Sequence, residues 1–276
     1  MLYSIKNFVK NNKRLIFIIS IIMICSIAIA FAIFAQVTNR TQSRENKKQD
    51  DNNVYLELKN NFKDIFNNSI NKEKTANLEF DIDEIIYLKY DISEIKEGKY
   101  DVNVKIPNFK LENEETNKIN KEIKNVFVKK IIDIANNPNE YTTYSIDYVA
   151  YLNSNILSLV IKCNYKSGAN PQRQIIKCYN YDLENNKLLA IEDILEYKNI
   201  EGSEVQSKIS SEIKSANEKT KSLSEQGYNV YVREENDEMY KVKNTPNFFL
   251  GKDNYLYLVY AYGNNNFTSE VDLVIF

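Results

Sequence analysis

Cys163 and Cys178 form the most specific chemical feature of this sequence. Both lie in stretches of alternating apolar residues, and the two stretches flank a predicted turn at 167–171. In an antiparallel hairpin centred on that turn the two cysteines would face each other, at a separation that suits a disulfide. Closing a loop of about 15 residues would stabilise the fold by roughly 3 kcal/mol. We therefore predict a disulfide; the alternative is two reduced thiols packed in a sheet.

The 276-residue chain contains no histidine. This excludes Ser-His-Asp and Cys-His nucleophilic catalysis and also His-ligated zinc. Neither a Gly-x-Ser-x-Gly motif nor a phosphate-binding Gly-rich loop is present. A net charge of -2 provides no strong field of one sign, so nucleic acid is not an expected partner. We predict a non-enzymatic protein that needs no cofactor.

Acidic residues leave two kinds of site open. Asp81, Asp83 and Glu84 offer the oxygen ligands that Ca²⁺ prefers, but they lack the spacing and the glycine of an EF-hand loop. A solvated strand edge is therefore the favoured interpretation, and no metal site is predicted. Because the chain has 38 acidic residues, a carboxylate pair for glycoside hydrolysis is neither supported nor excluded.

Two C-terminal segments contain the candidate binding residues. Tyr255, Tyr257 and Tyr260 fall in one apolar strand, and tyrosine suits protein interfaces and sugar platforms because its ring is apolar and its tip is polar. The favoured alternative for these tyrosines is a sheet core. The tip of the predicted hairpin, 166–173, is polar, and exposed loops often carry recognition. Its candidate residues are Lys166, Asn170, Gln172 and Arg173.

Periodicity predicts the elements that would position these residues. The strongest predicted helix is 113–135, with Asn113 as its N-cap and an apolar stripe along one face. A second helix is predicted at 203–219. Strands are predicted at 100–106, 143–152, 156–165, 173–183, 248–250, 255–262 and 268–276. The fold class is α+β, with antiparallel sheets and helices packed on one face, in an N-terminal part (54–155) and a C-terminal part (156–276).

The N-terminal region predicts a membrane anchor. Residues 15–35 contain no charge, and as a helix they would span about 31 Å, which matches a bilayer core. Residues 1–14 form the predicted cytoplasmic tail, and the polar residues 36–53 form a linker to an extracytoplasmic domain. A cleaved signal peptide is the alternative, since an Ala-x-Ala pattern occurs near the end of the apolar run.

The order and spacing of four segments resemble a known family, the extracytoplasmic domain of lysozyme-sensing anti-sigma-V factors. This domain also occurs as the non-catalytic part of some peptidoglycan deacetylases. The resemblance covers about 85–276. Its segments are VNVKIPNF (102–109) with the helix NKINKEI (117–123), LSLVIKCNYKSGANP (157–171), YNYDLENNKLLAIEDIL (179–195) and NFFLGKDNYLYLVYAYG (247–263).

Two departures from the family limit what the resemblance implies. Ser167 and Asn170 stand where the family has a Gly and a His, so any role that needs the imidazole is lost. The 14-residue tail is shorter than a sigma-binding segment would require. The resemblance therefore implies a fold, a cell-surface location and a tendency to bind a lysozyme-like protein or cell-wall glycan. A carboxylate-dependent cell-wall hydrolase and a transmembrane stress sensor are the alternative functions.

Overall fold

The computed structural model describes residues 53–62, 64–66, 82–137, 139–252 and 254–276. The predicted tail, membrane helix and nearly all of the linker lie outside the described residues. Among the residues that are described, no helix is long and apolar enough to cross a membrane. The chain divides into Met1–Leu58 and Lys59–Phe276, and every described strand belongs to the second unit.

The second unit is built around two sheets, which confirms the α+β class. The large sheet has the strand order β1-β2-β3-β4-β5-β6. Its strands are β1 (Ile86–Lys96), β2 (Tyr100–Phe109), β3 (Thr142–Asn153), β4 (Ile156–Ser167), β5 (Arg173–Asp182) and β6 (Lys187–Leu188). All neighbours are antiparallel except β2 and β3, which are parallel. A parallel pair needs a crossover, and here the chain crosses through a helix.

That crossover helix packs on one face of the large sheet. A four-residue α1 (Ile82–Ile85) precedes β1, and the crossover consists of α2 (Glu114–Ile123), a π-helical turn (Lys124–Val128) and α3 (Lys129–Asn136). It begins at Asn113 as predicted, because the Asn113 side chain accepts a hydrogen bond from the Thr116 amide. Ile119, Ile123 and Phe127 are buried against β2–β5, and together they form the first core.

A second core lies under the small sheet. The chain continues through α4 (Ile191–Lys198), α5 (Gly202–Glu225), β7 (Phe248–Leu250), β8 (Leu256–Ala261) and β9 (Val271–Ile275). Residues 53–61 are also helical. Short 3-10 turns occur at Asp64–Phe66, Glu238–Tyr240, Val242–Asn244 and Tyr262–Asn264. Val205, Ile209 and Ile213 of α5 pack against the small sheet. Helices thus cover both sheets, not one face of a single sheet.

The predicted antiparallel arrangement of β3, β4 and β5 is confirmed, but the predicted disulfide is wrong. Cys163 pairs with Ile175, three residues short of Cys178, and Cys178 pairs with Val160. Because successive residues of a strand point to opposite faces, this odd shift separates the two thiols. Both cysteines are free: Cys163 lies in the first core, where burial raises the pKa of its thiol to about 12, and Cys178 lies on the other face.

Candidate functional site

The face of the large sheet that points away from the crossover helix is divided into two halves. In the covered half, near the β3–β4 turn, Val149, Tyr151 and Val160 are buried beneath the small sheet. Phe249 of β7 stacks on Tyr151 with ring centroids 6.0 Å apart. In the open half, toward the β4–β5 turn, the same strands expose polar side chains instead. We call these two regions the covered half and the open half.

A row of uncharged polar side chains crosses five strands in the open half. Register places each member directly opposite the next: Ser93 with Asn103, Asn103 with Ser145, Ser145 with Asn164 and Asn164 with Gln174. Their strand neighbours, including Val102, Val104, Ile146 and Cys163, point into the first core. These five residues therefore lie on the opposite face of the large sheet, away from the first core. We call Ser93, Asn103, Ser145, Asn164 and Gln174 the polar row.

The members of the polar row are at least partly accessible. Ser93 and Asn103 are exposed, and the other three are half-buried. Gln174 donates from Nε2 to Asn164 Oδ1 at 3.2 Å, which fixes the orientation of both side-chain amides. Every member of the row can both donate and accept hydrogen bonds. The row is therefore suited to a ligand rich in hydroxyl and amide groups.

A charged row lies between the polar row and the covered half. Its members alternate in sign across four strands: Asp91 is opposite Lys105, and Asp147 is opposite Lys162. Burial lowers the pKa of Lys162, and the negative charges of Asp147 and Asp64 partly oppose this effect. Because the lysines and aspartates of the row alternate, these four residues together carry no net charge. It marks the edge at which the small sheet stops covering the large one.

The third row borders the β4–β5 turn and contains the first of the predicted tip residues. Ile95 is opposite Asp101, Asp101 is opposite Thr143, and Thr143 is opposite Lys166. Lys166, Asn170 and Gln172 are exposed. Gly168 adopts a φ of 54°, in the left-handed region that glycine tolerates, and so allows the chain to turn. Lys166 lies near the end of β4, and Asn170 and Gln172 follow in the turn beyond the strands.

Arg173, the fourth predicted tip residue, has a structural role in the fold. Its Nε donates to the Gly263 carbonyl at 2.8 Å, and an Nη donates to the Asn264 carbonyl at 3.0 Å. The guanidinium also lies over the ring of Phe267. Gly263 leaves no room for a side chain there, since a Cβ would lie 2.2 Å from the Gln174 carbonyl oxygen. Arg173 thus fastens β5 to the turn that follows β8.

The predicted binding tyrosines are mainly core residues. Tyr260 is fully buried, with its ring 5.2 Å from that of Tyr240. Tyr257 is 7% exposed and stacks on Phe249 at 4.6 Å. Tyr255 is half-buried just before β8. The alternative of a sheet core therefore describes Tyr257 and Tyr260, and neither can serve as a platform at the surface.

Two carboxylates converge near the end of the chain, but an arginine holds both. Arg233 Nε donates to Asp272 at 2.5 Å, and an Nη donates to Glu270 at 2.9 Å. The remaining Arg233 donors reach Thr220 and the Tyr231 carbonyl. The Tyr262 hydroxyl donates to Asp272 at 2.6 Å. This cluster is satisfied internally and fastens the 228–240 segment to β9, so it does not provide the separated acid and base of a glycosidase.

The acidic cluster near α1 gains no support as a metal site. Asp83 and Glu84 lie in the first turn of α1, and Asp81 lies outside the described residues. Within the part of the chain that the structure describes, no group of three or more His, Cys, Asp or Glu residues is placed to hold a metal ion.

The polar row was not predicted from the sequence, although part of its pattern is present there. Alternate residues of β3 change from Thr143, Ser145 and Asp147 to Val149 and Tyr151. That change marks where a covering layer begins on this face. The full row also depends on the parallel pairing of β2 with β3, which requires the crossover between them.

Comparison with known proteins yields only distant structural similarity. No family model and no curated protein matches the chain. It is similar to the crystal structure of a DUF3298 family protein from Pseudomonas aeruginosa, at 13% identity over 63% of this chain and 78% of that chain, with a TM-score of 0.34. A DUF3298 family member from Bacteroides fragilis gives 13% identity, 58% and 74% coverage and a TM-score of 0.27. At these scores neither similarity bears on function, and the resemblance to the anti-sigma-V domain stays a prediction.

Proposed function

We propose that this domain is a non-enzymatic extracytoplasmic binding module, which holds a partner at the cell surface on the open half of the large sheet. The observation that carries the proposal is the polar row, with its flanking charged row and exposed turn. The extracytoplasmic location rests on the predicted membrane helix. The partner is a lysozyme-like protein or a cell-wall glycan.

The scaffold under the open half is rigid, which favours recognition. The polar row belongs to strands whose other faces carry the fully buried side chains Val104, Ile146 and Cys163. A side chain supported by a packed sheet loses little further freedom when it binds a ligand. The row therefore presents hydrogen-bonding groups at fixed positions, whereas the turn at 167–172 can adapt to the partner.

The chemistry of the open half favours binding over catalysis. The polar row consists of amides and hydroxyls, which do not titrate near neutral pH and cannot act there as general acid or base. In the neighbouring charged row each aspartate is opposite a lysine on the next strand, so the negative charge of each carboxylate is offset by a nearby positive charge. Such a surface can orient a partner, but it offers no activated nucleophile.

The proposal is tested by retention of the full-length chain, in detergent, on purified peptidoglycan and on immobilised lysozyme. We expect wild-type protein to be retained on at least one of them. A triple variant, Asn103→Ala with Ser145→Ala and Asn164→Ala, should lose at least about tenfold in affinity, because each lost hydrogen bond is worth about 0.5–1.5 kcal/mol.

Asn117→Ala is the matched control, since Asn117 is exposed on α2, on the opposite side of the sheet. This variant should bind like wild type. Absence of wild-type retention on both materials would contradict the proposal, and so would a triple variant that binds as well as the control.

A further inference from the structure

The spacing of the polar row carries information about the shape of its ligand. Neighbouring strands lie about 4.8 Å apart, so the five members of the row extend over roughly 19 Å at right angles to the strands. A ligand that meets every member must present a hydrogen-bonding group at the same interval. The interval is close to the length of one pyranose unit along an extended β-1,4-linked chain.

An extended peptide does not match this interval. Its residues advance by about 3.3 Å, and side chains on one side recur only every 6.6 Å or so. A peptide laid across the strands would therefore fall out of step with the row after the first contact. Successive units of a β-1,4 glycan are turned over, but each unit carries hydrogen-bonding groups at both edges of its ring, so a hydroxyl or N-acetyl group still faces the row at every unit.

The chemistry of the row indicates an uncharged ligand. Its five side chains are amides and hydroxyls, which both donate and accept, as sugar hydroxyl and N-acetyl groups do. The adjoining charged row alternates between aspartate and lysine, and across the third row Asp101 is balanced by Lys166. Asp64 adds one negative charge near Lys162. The open half therefore has no strong field of one sign that would select a polyanion or a polycation.

We propose that the polar row binds an uncharged β-1,4-linked glycan that lies across β1–β5, with about one sugar unit for each strand. This inference rests on the proposed function and specifies the ligand class of the same face. No aromatic residue belongs to the row, so binding depends on hydrogen bonds whose number grows with glycan length. Short oligomers bind weakly, and affinity rises until the row is filled.

The test uses linear β-1,4 oligomers of N-acetylglucosamine, from the disaccharide to the hexasaccharide, titrated into the full-length chain in detergent by calorimetry. We expect the dissociation constant to fall with each added unit and to level off near the pentasaccharide. The double variant Asn103→Ala with Asn164→Ala should weaken pentasaccharide binding about tenfold, whereas Asn117→Ala should leave it unchanged. The same oligomers should compete for retention on peptidoglycan.

Two results would overturn the inference: no binding of any oligomer, or binding that neither depends on length nor responds to the double variant. If lysozyme binding is lost in the Asn103→Ala, Ser145→Ala and Asn164→Ala variant while no oligomer binds, the proposed function survives and the glycan assignment fails. If the variants change neither lysozyme nor peptidoglycan retention, both proposals fail.

Discussion

The covered and open halves of the large sheet are made by the same strands, yet they meet different surroundings. In β3 and β4 the outward residues Val149 and Val160 are paired and fully covered. The next outward pair toward the β4–β5 turn, Asp147 with Lys162, carries charge and is half-buried. A single step along the strands thus separates a fully buried apolar pair from a half-buried charged pair.

This difference distinguishes the part of the sheet face that stabilises the fold from the part that is available to bind a partner. Covering a sheet face is favourable when its side chains are apolar, since burial contributes about 25 cal/mol per Å². Burying the polar row under a protein layer would instead require a partner for every amide and hydroxyl. The small sheet stops at the charged row, and among the described residues the open half stays accessible to a ligand that can satisfy those groups.

The largest expected effect of a single substitution is in the covered half. Phe249 is 1% exposed and stacks on both Tyr151 and Tyr257. Phe249→Ala should lower the free energy of unfolding by about 3–5 kcal/mol, because it removes a large buried ring and leaves a cavity. Urea denaturation followed by circular dichroism measures this. A loss below about 1 kcal/mol would mean that the two sheets are not packed as described.

Alkaline pH should weaken the second core. Burial raises the pKa of Tyr240 and of Tyr260 to about 12, from an ordinary value of 10.0. The folded state therefore keeps protons that the unfolded state loses. The contribution of these two tyrosines to stability should be constant below about pH 9 and should fall between about pH 10 and 12, by about 1.4 kcal/mol per pH unit for each tyrosine.

Thermal unfolding at a series of pH values measures this effect, with absorbance near 295 nm reporting tyrosine ionisation. In Tyr260→Phe the slope above pH 10 should be shallower than in wild type. An unchanged slope would show that Tyr260 ionises equally well in the folded state.

An intermediate effect is expected where β5 meets the turn after β8. The side chain of Asn264 accepts from the Ile176 amide at 3.0 Å and donates to the Ile176 carbonyl at 3.1 Å, so it acts as a short piece of neighbouring strand. Asn264→Ala would leave two backbone groups of a buried residue without this partner. We expect a loss of about 2 kcal/mol in unfolding free energy.

Asn265→Ala provides the matched control for that variant, since Asn265 is the next residue and is exposed. It should change the unfolding free energy by less than about 0.5 kcal/mol. Equal effects of the two substitutions would contradict the role assigned to the Asn264 side chain.

The smallest effect on stability is expected in the open half. Asn103→Ala removes an exposed side chain from the polar row, so the unfolding free energy should change by less than about 0.5 kcal/mol. A larger loss in urea denaturation would indicate that the row supports the fold and is not kept for a partner. The open half would then contribute to folding stability as the covered half does, and its polar side chains could not be assigned to ligand binding alone.

The sequence predicted the elements better than their mutual register. The start of the crossover helix at Asn113 and the antiparallel order of β3, β4 and β5 followed from capping and alternation. The pairing of Cys163 with Ile175 was not predicted, because the polar turn allows several registers. A register shift by an odd number of residues moves a side chain to the opposite face of the sheet. The sequence indicated burial of Tyr257 and Tyr260 only as an alternative to a binding role. In an apolar strand, the alternation of side chains does not distinguish tyrosines of the core from tyrosines that form a binding surface.

The candidate site was predictable only in part. Lys166, Asn170 and Gln172 were identified from the polar turn, and they do border the open half. The polar row draws on five strands that are distant in sequence, from Ser93 to Gln174. Its assembly requires the crossover between β2 and β3, which periodicity within single strands does not specify.

The most direct test observes the side-chain amides of the row themselves. With the full-length chain labelled with ¹⁵N at asparagine and glutamine side chains, solubilised peptidoglycan fragments or lysozyme are added and the NMR spectrum is followed. We expect the resonances of Asn103, Asn164 and Gln174 to shift or broaden, whereas those of Asn117 and Asn264 should stay in place. Unchanged resonances of the row, while amides elsewhere respond, would contradict the claim that the open half is the binding face.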